Sequence, residues 1–166
     1  MRFRTVIGNG RFSLGPFYMS DVKKVARIVE ESPLALEDGW GKPREHFYSL
    51  AKDPSAMLIT GRDNKKVGGF LSFNFIVPGR DANLCGYANR GFAKGVVECG
   101  RLGLLWAFEK WDLKRATVMH SVRNRAATLA ALRIGFKREG TMRDAMVFNN
   151  ELHDVVVLGI IREEVV

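Results

Sequence analysis

The stretch between residues 90 and 140 constrains the fold of this 166-residue chain more than any other. It contains a loop with glycines, a long apolar helix from Gly95 to about Trp111, and a strand. A short alanine-rich helix then begins at Asn124, a favourable N-cap, and ends where Gly135 is expected to close it. N–H groups and the positive dipole end meet at a helix start, so a glycine loop there is typical of a site for a phosphorylated ligand.

The rest of the chain predicts strands on both sides of this stretch and two helices near its beginning. Ser20 is placed to cap a first helix on which Val22, Val25 and Val29 share one face, and residues 44–51 predict a second. Predicted strands cover residues 11–17, 55–60, 67–76, 82–88, 116–120, 141–148 and 152–161, with turns at 61–64, 78–81 and 149–150. This order predicts a mixed α/β fold of the α+β type with a largely antiparallel central sheet.

Two glycines inside the long helix and the aspartate that follows it each predict a local feature of the structure. Gly100 and Gly103 each cost about 1 kcal/mol relative to alanine inside a helix, which indicates that a neighbouring element approaches closely. Asp112 follows the helix, at a position that often needs left-handed backbone, which aspartate tolerates.

Length and composition predict one domain over residues 1–166. A hydrophobic content of 46 % with 27 % charged residues is typical of a globular protein. No apolar run approaches the roughly 20 residues of a membrane span, and the N-terminal residues lack the pattern of a secretory signal. We therefore expect no membrane contact and a cytoplasmic location.

The cysteines and histidines do not predict a metal site. Cys85 and Cys99 form no CxxC pair, and we expect both to be free thiols in a reducing compartment. His46, His120 and His153 lack the spacing of zinc ligands, so we expect no metal.

The formal net charge of +8 favours anionic partners. Nucleic acid, a ribosome, an anionic metabolite and a cofactor phosphate would each fit this charge. No run of lysine and arginine forms a nucleic-acid arm, so a basic nucleic-acid-binding module is the weaker alternative.

Residues 82–162 resemble the GNAT acetyltransferase superfamily, and in particular the branch that contains ribosomal-protein N-terminal acetyltransferases. The helix that begins at Asn124 carries the main likeness to that family's N-x-A-S…G-F helix. The matching residues are Asn124, Ala126, Ala127, Gly135 and Phe136, then Arg138-Glu139-Gly140, Asn149-Asn150 and His153-Asp154. The resemblance implies a mixed, mostly antiparallel sheet of six to seven strands, flanked by about four helices, whose fourth and fifth strands splay apart.

The resemblance implies that acetyl-coenzyme A is the acyl donor. The family's R/Q-x-x-G-x-G/A loop matches residues 90–95, and its pyrophosphate would be held at the helix start. Backbone groups at the end of the fourth strand would hold the pantetheine arm and polarise the thioester carbonyl. The implied cofactor-binding residues are Tyr87, Ala88, Arg90, Gly91, Phe92, Ala93, Lys94, Gly95, Val96 and Asn124.

The usual general acid of the family is absent. Many members have a tyrosine seven residues after the asparagine, and this chain has Ala131 there. We keep four candidates for proton transfer, namely Tyr87, His120, Ser121 and Thr128. Catalysis by positioning alone, with protons exchanged through water, is the alternative.

The resemblance implies that the acceptor amine approaches between the first two helices and the C-terminal hairpin. The candidate substrate-binding residues there are Glu37, Asp38, Trp40 and Tyr48. The acceptor would be a protein N-terminus or a small-molecule amine, anionic itself or attached to an anionic carrier. The sequence leaves the choice between a monomer and a homodimer open.

These observations predict an acetyl-CoA-dependent N-acetyltransferase that acts by direct attack of a primary amine in a ternary complex. The alternative is a catalytically impaired protein of the same fold that binds coenzyme A or a partner, which Ala131 favours.

Overall fold

The computed structural model describes residues 7–8, 10–32 and 42–165. These residues form seven strands and four α-helices, with short 3₁₀ turns at Met19–Asp21, Arg90–Phe92 and Arg162–Glu164. The strands are β1 (Phe12–Pro16), β2 (Met57–Asp63), β3 (Lys66–Val77), β4 (Asp81–Ala88), β5 (Arg115–Ser121), β6 (Lys137–Phe148) and β7 (Glu151–Ile161). The helices are α1 (Val22–Glu30), α2 (Pro43–Leu50), α3 (Ala93–Trp111) and α4 (Arg125–Ile134).

All seven strands join one sheet in the order β1-β2-β3-β4-β5-β7-β6. Every neighbouring pair is antiparallel except β4 and β5, which run parallel. That parallel pairing covers three residue pairs, from Asp81 with Arg115 to Asn83 with Thr117, and then stops. The remaining halves of β4 and β5 diverge, which confirms the predicted mostly antiparallel sheet with splayed fourth and fifth strands.

The helices bury the faces that their apolar spacing predicts. Val22, Val25 and Val29 are buried on α1, and Phe47 of α2 packs edge-on against Phe70 of β3 with ring centroids 4.8 Å apart. This second, smaller core lies on one side of the sheet. The main core packs α3 and α4 against the opposite face. No helix among the described residues is long and apolar enough to cross a membrane.

The predicted cap of the first helix is wrong. Ser20 is exposed and lies inside the 3₁₀ turn Met19–Asp21, and Asp21 precedes α1. The Asp21 carboxylate is buried, accepts the backbone N–H of Tyr18 at 3.2 Å and pairs with Arg62 of β2 at 2.9 Å. The pairing with Arg62 holds Asp21 at the helix entry, which the local sequence does not reveal.

Both glycine predictions for α3 are confirmed. A Cβ atom at Gly100 would lie 2.5 Å from Cδ1 of Ile134 on α4, and one at Gly103 would lie 2.7 Å from Cδ1 of Leu71 on β3. The helix therefore packs closely at two points, where a Cβ atom would require the Ile134 or Leu71 side chain to shift. It ends at Asp112, whose φ of 49° is left-handed as predicted.

Two of the hairpin turns in the sheet contain a pair of left-handed residues. The Asn149-Asn150 turn has φ values of 51° and 62°, which confirms the predicted hairpin between β6 and β7. The predicted turn at residues 61–64 lies later than expected, because β2 continues to Asp63 and the left-handed pair is Asn64 and Lys65.

Candidate functional site

A cleft opens where β4 and β5 separate, and its volume is about 520 Å³. Most of its lining is apolar and comes from the second half of β4, the end of β5, the first turns of α3 and one face of α4. The cleft thus lies at the break in the parallel ladder, which is where α/β sheets usually bind ligands.

One end of the cleft is closed by the turn Arg90–Phe92 at the entry to α3. The Asn89 side chain accepts the Phe92 N–H at 3.0 Å and so caps this turn. The Phe92 ring is buried and packs edge-on against Phe12, with centroids 5.4 Å apart. A Cβ atom at Gly68 would lie 2.3 Å from the Phe92 ring, so glycine is needed beneath it. The buried ring holds the turn in place. The backbone N–H of Phe92 is already bonded to the Asn89 side chain.

The entry to α3 combines exposed backbone with cationic side chains. No side chain caps this helix, whose first three residues are Ala93, Lys94 and Gly95. Arg90, Gly91, Ala93 and Lys94 are exposed around it. N–H groups directed out of a 19-residue helix, together with two cationic side chains, favour a phosphate group here. Gly95 is buried against Phe12 and Phe92, and Val96 lines the cleft in the next position.

The end of β4 forms the opposite wall. Tyr87 and Ala88 pair with Phe70 and Gly69 of β3 on one side, and both line the cleft on the other. The Tyr87 ring lies against Phe70, with centroids 6.1 Å apart. This places the backbone of residues 87–88 beside the cleft.

Asn124 has the predicted position at the start of α4. Its side-chain oxygen accepts the Ala127 N–H at 3.1 Å, which confirms the N-cap, and the residue is buried and lines the cleft. Ala131 lies on the same helix face, is also buried and lines the cleft too. A methyl group therefore lies at this point of the cleft wall.

The four candidates for proton transfer have different positions. His120 is buried and lines the cleft, and its Nε2 lies 3.2 Å from Oγ1 of Thr128. Thr128 Oγ1 also donates to the backbone oxygen of Asn124 at 3.4 Å. Ser121 is fully buried, and its hydroxyl oxygen accepts the Arg123 N–H at 3.3 Å. Tyr87 and His120 thus line the cleft, whereas Thr128 contacts His120 from behind and Ser121 supports the turn into α4.

The described residues include only one member of the predicted acceptor-binding set. Tyr48 lies on α2 and is 46 % exposed. Glu37, Asp38 and Trp40 lie outside the described residues. Ser32, just after α1, lines the cleft and was not predicted.

Sequence analysis also missed part of the α4 wall. Leu129, Ala130 and Arg133 line the cleft beside Ala126. Residues at positions i, i+3, i+4 and i+7 share one helix face, so the spacing from Ala126 would have found them.

Neither Cys85 nor Cys99 forms a disulfide bond among the described residues. Burial, with the nearby charge of Glu98, raises the pKa of the Cys99 thiol to about 12. Cys99 therefore stays a neutral thiol at physiological pH. Cys85 is half-buried, and both cysteines line the cleft. No group of three or more His, Cys, Asp or Glu in the described part of the chain is arranged to hold a metal ion.

Several proteins that resemble this chain in sequence or in fold are named as acetyltransferases. No family model matches the chain. A segment of 73 residues is 33 % identical to "Putative ribosomal N-acetyltransferase YdaF" of Bacillus subtilis, covering 43 % of this chain and 39 % of that protein. The matched segment therefore spans well under half of this curated relative.

Solved structures match over nearly the whole chain. One is RimL, a ribosomal L7/L12 α-N-protein acetyltransferase in complex with coenzyme A, with a TM-score of 0.81, 21 % identity, and coverage of 95 % of this chain and 98 % of that one. A probable GNAT-family acetyltransferase from Chromobacterium violaceum matches with a TM-score of 0.78, 20 % identity and coverage of 98 % and 96 %. The chain has the GNAT fold.

A third structure with the GNAT fold broadens the range of acceptors among these neighbours. Spermidine N-acetyltransferase from Vibrio cholerae, solved with coenzyme A and spermine, matches with a TM-score of 0.77, 17 % identity and coverage of 94 % of this chain and 98 % of that one. At these identities the likeness establishes the fold, and the chemistry must be argued from the residues of this chain.

Proposed function

We propose that this protein is an acetyl-CoA-dependent N-acetyltransferase, which moves an acetyl group to a primary amine by direct attack in a ternary complex. The observation that carries the proposal is the cleft between the splayed halves of β4 and β5, which ends at the start of α3. This combination offers a narrow apolar channel and an anion site at its end.

The residues present fit coenzyme A. The apolar lining suits a pantetheine arm, and the edge of β4 at residues 84–88 offers backbone groups along it. Arg90, Lys94 and the N–H groups at the start of α3 suit a pyrophosphate. RimL and the spermidine acetyltransferase were both solved with coenzyme A, which supports the same donor here.

The reaction requires the loss of one proton and the uptake of another, so that its net proton balance is zero. Bound acetyl-CoA supplies the acetyl group as a thioester. The attacking amine must give up a proton as the new C–N bond forms, and the departing thiolate must take one as the C–S bond breaks. In our proposal the Ala88 N–H, on the side of β4 away from β3, donates a hydrogen bond to the carbonyl oxygen, and His120 or the Tyr87 hydroxyl exchanges the protons.

Thr128 has a supporting role in this scheme. Its hydroxyl contacts Nε2 of His120 at 3.2 Å and so restrains the orientation of the ring. Ser121 holds the turn that brings Asn124 to the cleft, since the Ser121 backbone oxygen accepts the Asn124 N–H at 2.9 Å.

The acceptor is a protein N-terminus or a small-molecule amine. An α-amine has a pKa near 8 and a lysine amine one near 10.4, so an α-amine supplies far more neutral nucleophile at pH 7. The net charge of +8 supports an acceptor that is anionic or attached to an anionic carrier. Tyr48, with Glu37, Asp38 and Trp40, remains the predicted acceptor-binding set. A cytoplasmic location, a single domain, and a monomeric or dimeric state also remain predictions.

Ala131 favours one alternative, in which the protein binds coenzyme A without transferring the acetyl group. The test measures free thiol released from acetyl-CoA in the presence of N-terminal peptides, amino sugars and polyamines, together with acetyl-CoA binding by calorimetry. The proposal expects amine-dependent thiol release with at least one class of acceptor. Tight binding with no release for any amine would support the alternative instead.

A further inference from the structure

An apolar surface continues from the cleft across the second half of the sheet. Met119 of β5 lines the cleft and is 48 % exposed. It pairs with Val157 of β7, and Met142 of β6 pairs with Val155 in the neighbouring row. Met142 is 47 % exposed, and Val157 is half-buried. We name Met119, Val157 and Met142 the methionine strip.

The methionine strip lies on the face of the sheet opposite α3 and α4. His120 contacts α4, so its neighbour along the strand, Met119, points to the other face. Ser121 shares the face of Met119, because the two residues are two positions apart on β5. Ser121 pairs with Val155, and Val155 pairs with Met142, so Met142 lies on this face as well.

The methionine strip borders open space beside the break between β4 and β5. Gly140 of β6 pairs with Val157, and no atom of the described residues lies within 4 Å of a Cβ atom placed there. Tyr87 faces the same side of the sheet from β4, since its ring packs against the smaller core. An amine that enters the break from this side therefore passes between Tyr87 and Met119.

The chemistry of this entrance favours an apolar group beside the attacking amine. Thioether and valine side chains gain from covering aliphatic surface, and flexible methionines adapt to its shape. Arg90 and Arg133 supply the permanent charges in the described part of the cleft lining, which contains no carboxylate. A polyamine would bring further ammonium groups to a surface on which these described residues offer them no partner.

We propose that the methionine strip binds the first side chains of an acceptor peptide, so that the acetyl group passes to a protein N-terminus with a large apolar first residue. This inference rests on the proposed function and chooses between its two classes of acceptor. Met119 contacts the side chain next to the attacking nitrogen. Two strand spacings of about 4.8 Å separate β5 from β6, so about three extended residues span the strip as far as Met142.

Thiol release from acetyl-CoA with matched acceptors tests this assignment. The acceptors are tetrapeptides that carry leucine or serine at the first position and leucine or serine at the third, together with spermidine. The wild-type kcat/KM should be roughly tenfold higher with leucine than with serine as the first residue. Spermidine should be a poorer acceptor than the peptides that begin with leucine.

Three variants locate the preference on the protein. Met119→Gln should reduce the first-residue ratio towards one, whereas Met119→Leu should retain it. Met142→Gln should keep the first-residue ratio and reduce the preference for leucine at the third position. Met19→Gln is the matched control and should leave both ratios as in the wild type, because Met19 is 52 % exposed and lies before α1, outside the cleft lining.

The contrary results separate the inference from the proposed function. Equal rates with leucine and serine as the first residue, faster release with spermidine, or a first-residue ratio unchanged in Met119→Gln would overturn the assignment to the methionine strip. A ratio lost in Met19→Gln would do the same. Absence of thiol release with every amine would overturn the proposed function itself. Met119 and Met142 are about half exposed, so circular dichroism should show their variants folded.

Discussion

Asn124 combines two tasks at the residue scale. Its side-chain oxygen caps α4 by accepting the Ala127 N–H, and its buried side chain lies at the wall of the cleft. The amide nitrogen of the same side chain is a donor that the cap does not need. One residue can therefore stabilise the helix and bind a ligand, and the two roles can be separated by substitution.

Asn124→Ser should retain the cap and shorten the side chain, whereas Asn124→Ala should lose the cap. We expect Asn124→Ala to lower the free energy of unfolding by about 1 kcal/mol and Asn124→Ser by only a few tenths. Both variants should bind acetyl-CoA more weakly. Thermal denaturation and calorimetry check the two effects separately. If Asn124→Ser binds acetyl-CoA as the wild type does, the residue is a helix cap and nothing more.

Much of what the sequence predicts rests on local signals of this kind. The start of α4, the left-handed Asp112 and the Asn149-Asn150 hairpin follow from residues within one turn of each other. The failure at Ser20 has a non-local cause, since Arg62 pairs with Asp21 from 41 residues away. The contact between Thr128 and His120 depends likewise on the packing of α4 beside β5, which the sequence does not show.

At the scale of elements, the turn Arg90–Phe92 is positioned by a ring rather than by its own sequence. The Phe92 side chain fills a space bounded by glycines on β2, β3 and α3, namely Gly61, Gly68 and Gly95. The loop motif alone predicts an anion site. It does not predict that the strands beneath the Phe92 ring need glycine at the positions that contact it.

Gly68→Ala tests this dependence. The new Cβ atom would lie 2.3 Å from the Phe92 ring, so the ring and its turn must shift. We expect a loss of about 1 to 3 kcal/mol in the free energy of unfolding, together with weaker acetyl-CoA binding. Gly140→Ala is the matched control, because nothing lies within 4 Å of a Cβ atom there. Equal stability and equal binding in the two variants would show that Phe92 does not position the turn.

For the whole molecule, one break in the sheet organises the site. β4 and β5 pair over three residue pairs and then separate, while each stays paired on its other side with an antiparallel partner, β3 and β7 respectively. The elements and their order can be predicted from the sequence. The splay was expected from the family resemblance alone, since no residue pattern along either strand marks where the pairing ends.

The central claim is that coenzyme A lies across this break with its pyrophosphate at the start of α3. The most direct test is calorimetric titration of acetyl-CoA into the wild-type protein, the double variant Arg90→Ala/Lys94→Ala, and Lys110→Ala. Lys110 is an exposed lysine at the other end of α3, about 24 Å from Lys94, and serves as the charge control. We predict one site per chain, roughly tenfold weaker in the double variant and unchanged in Lys110→Ala. Equal affinity in all three proteins, or no binding to the wild type, would contradict the account.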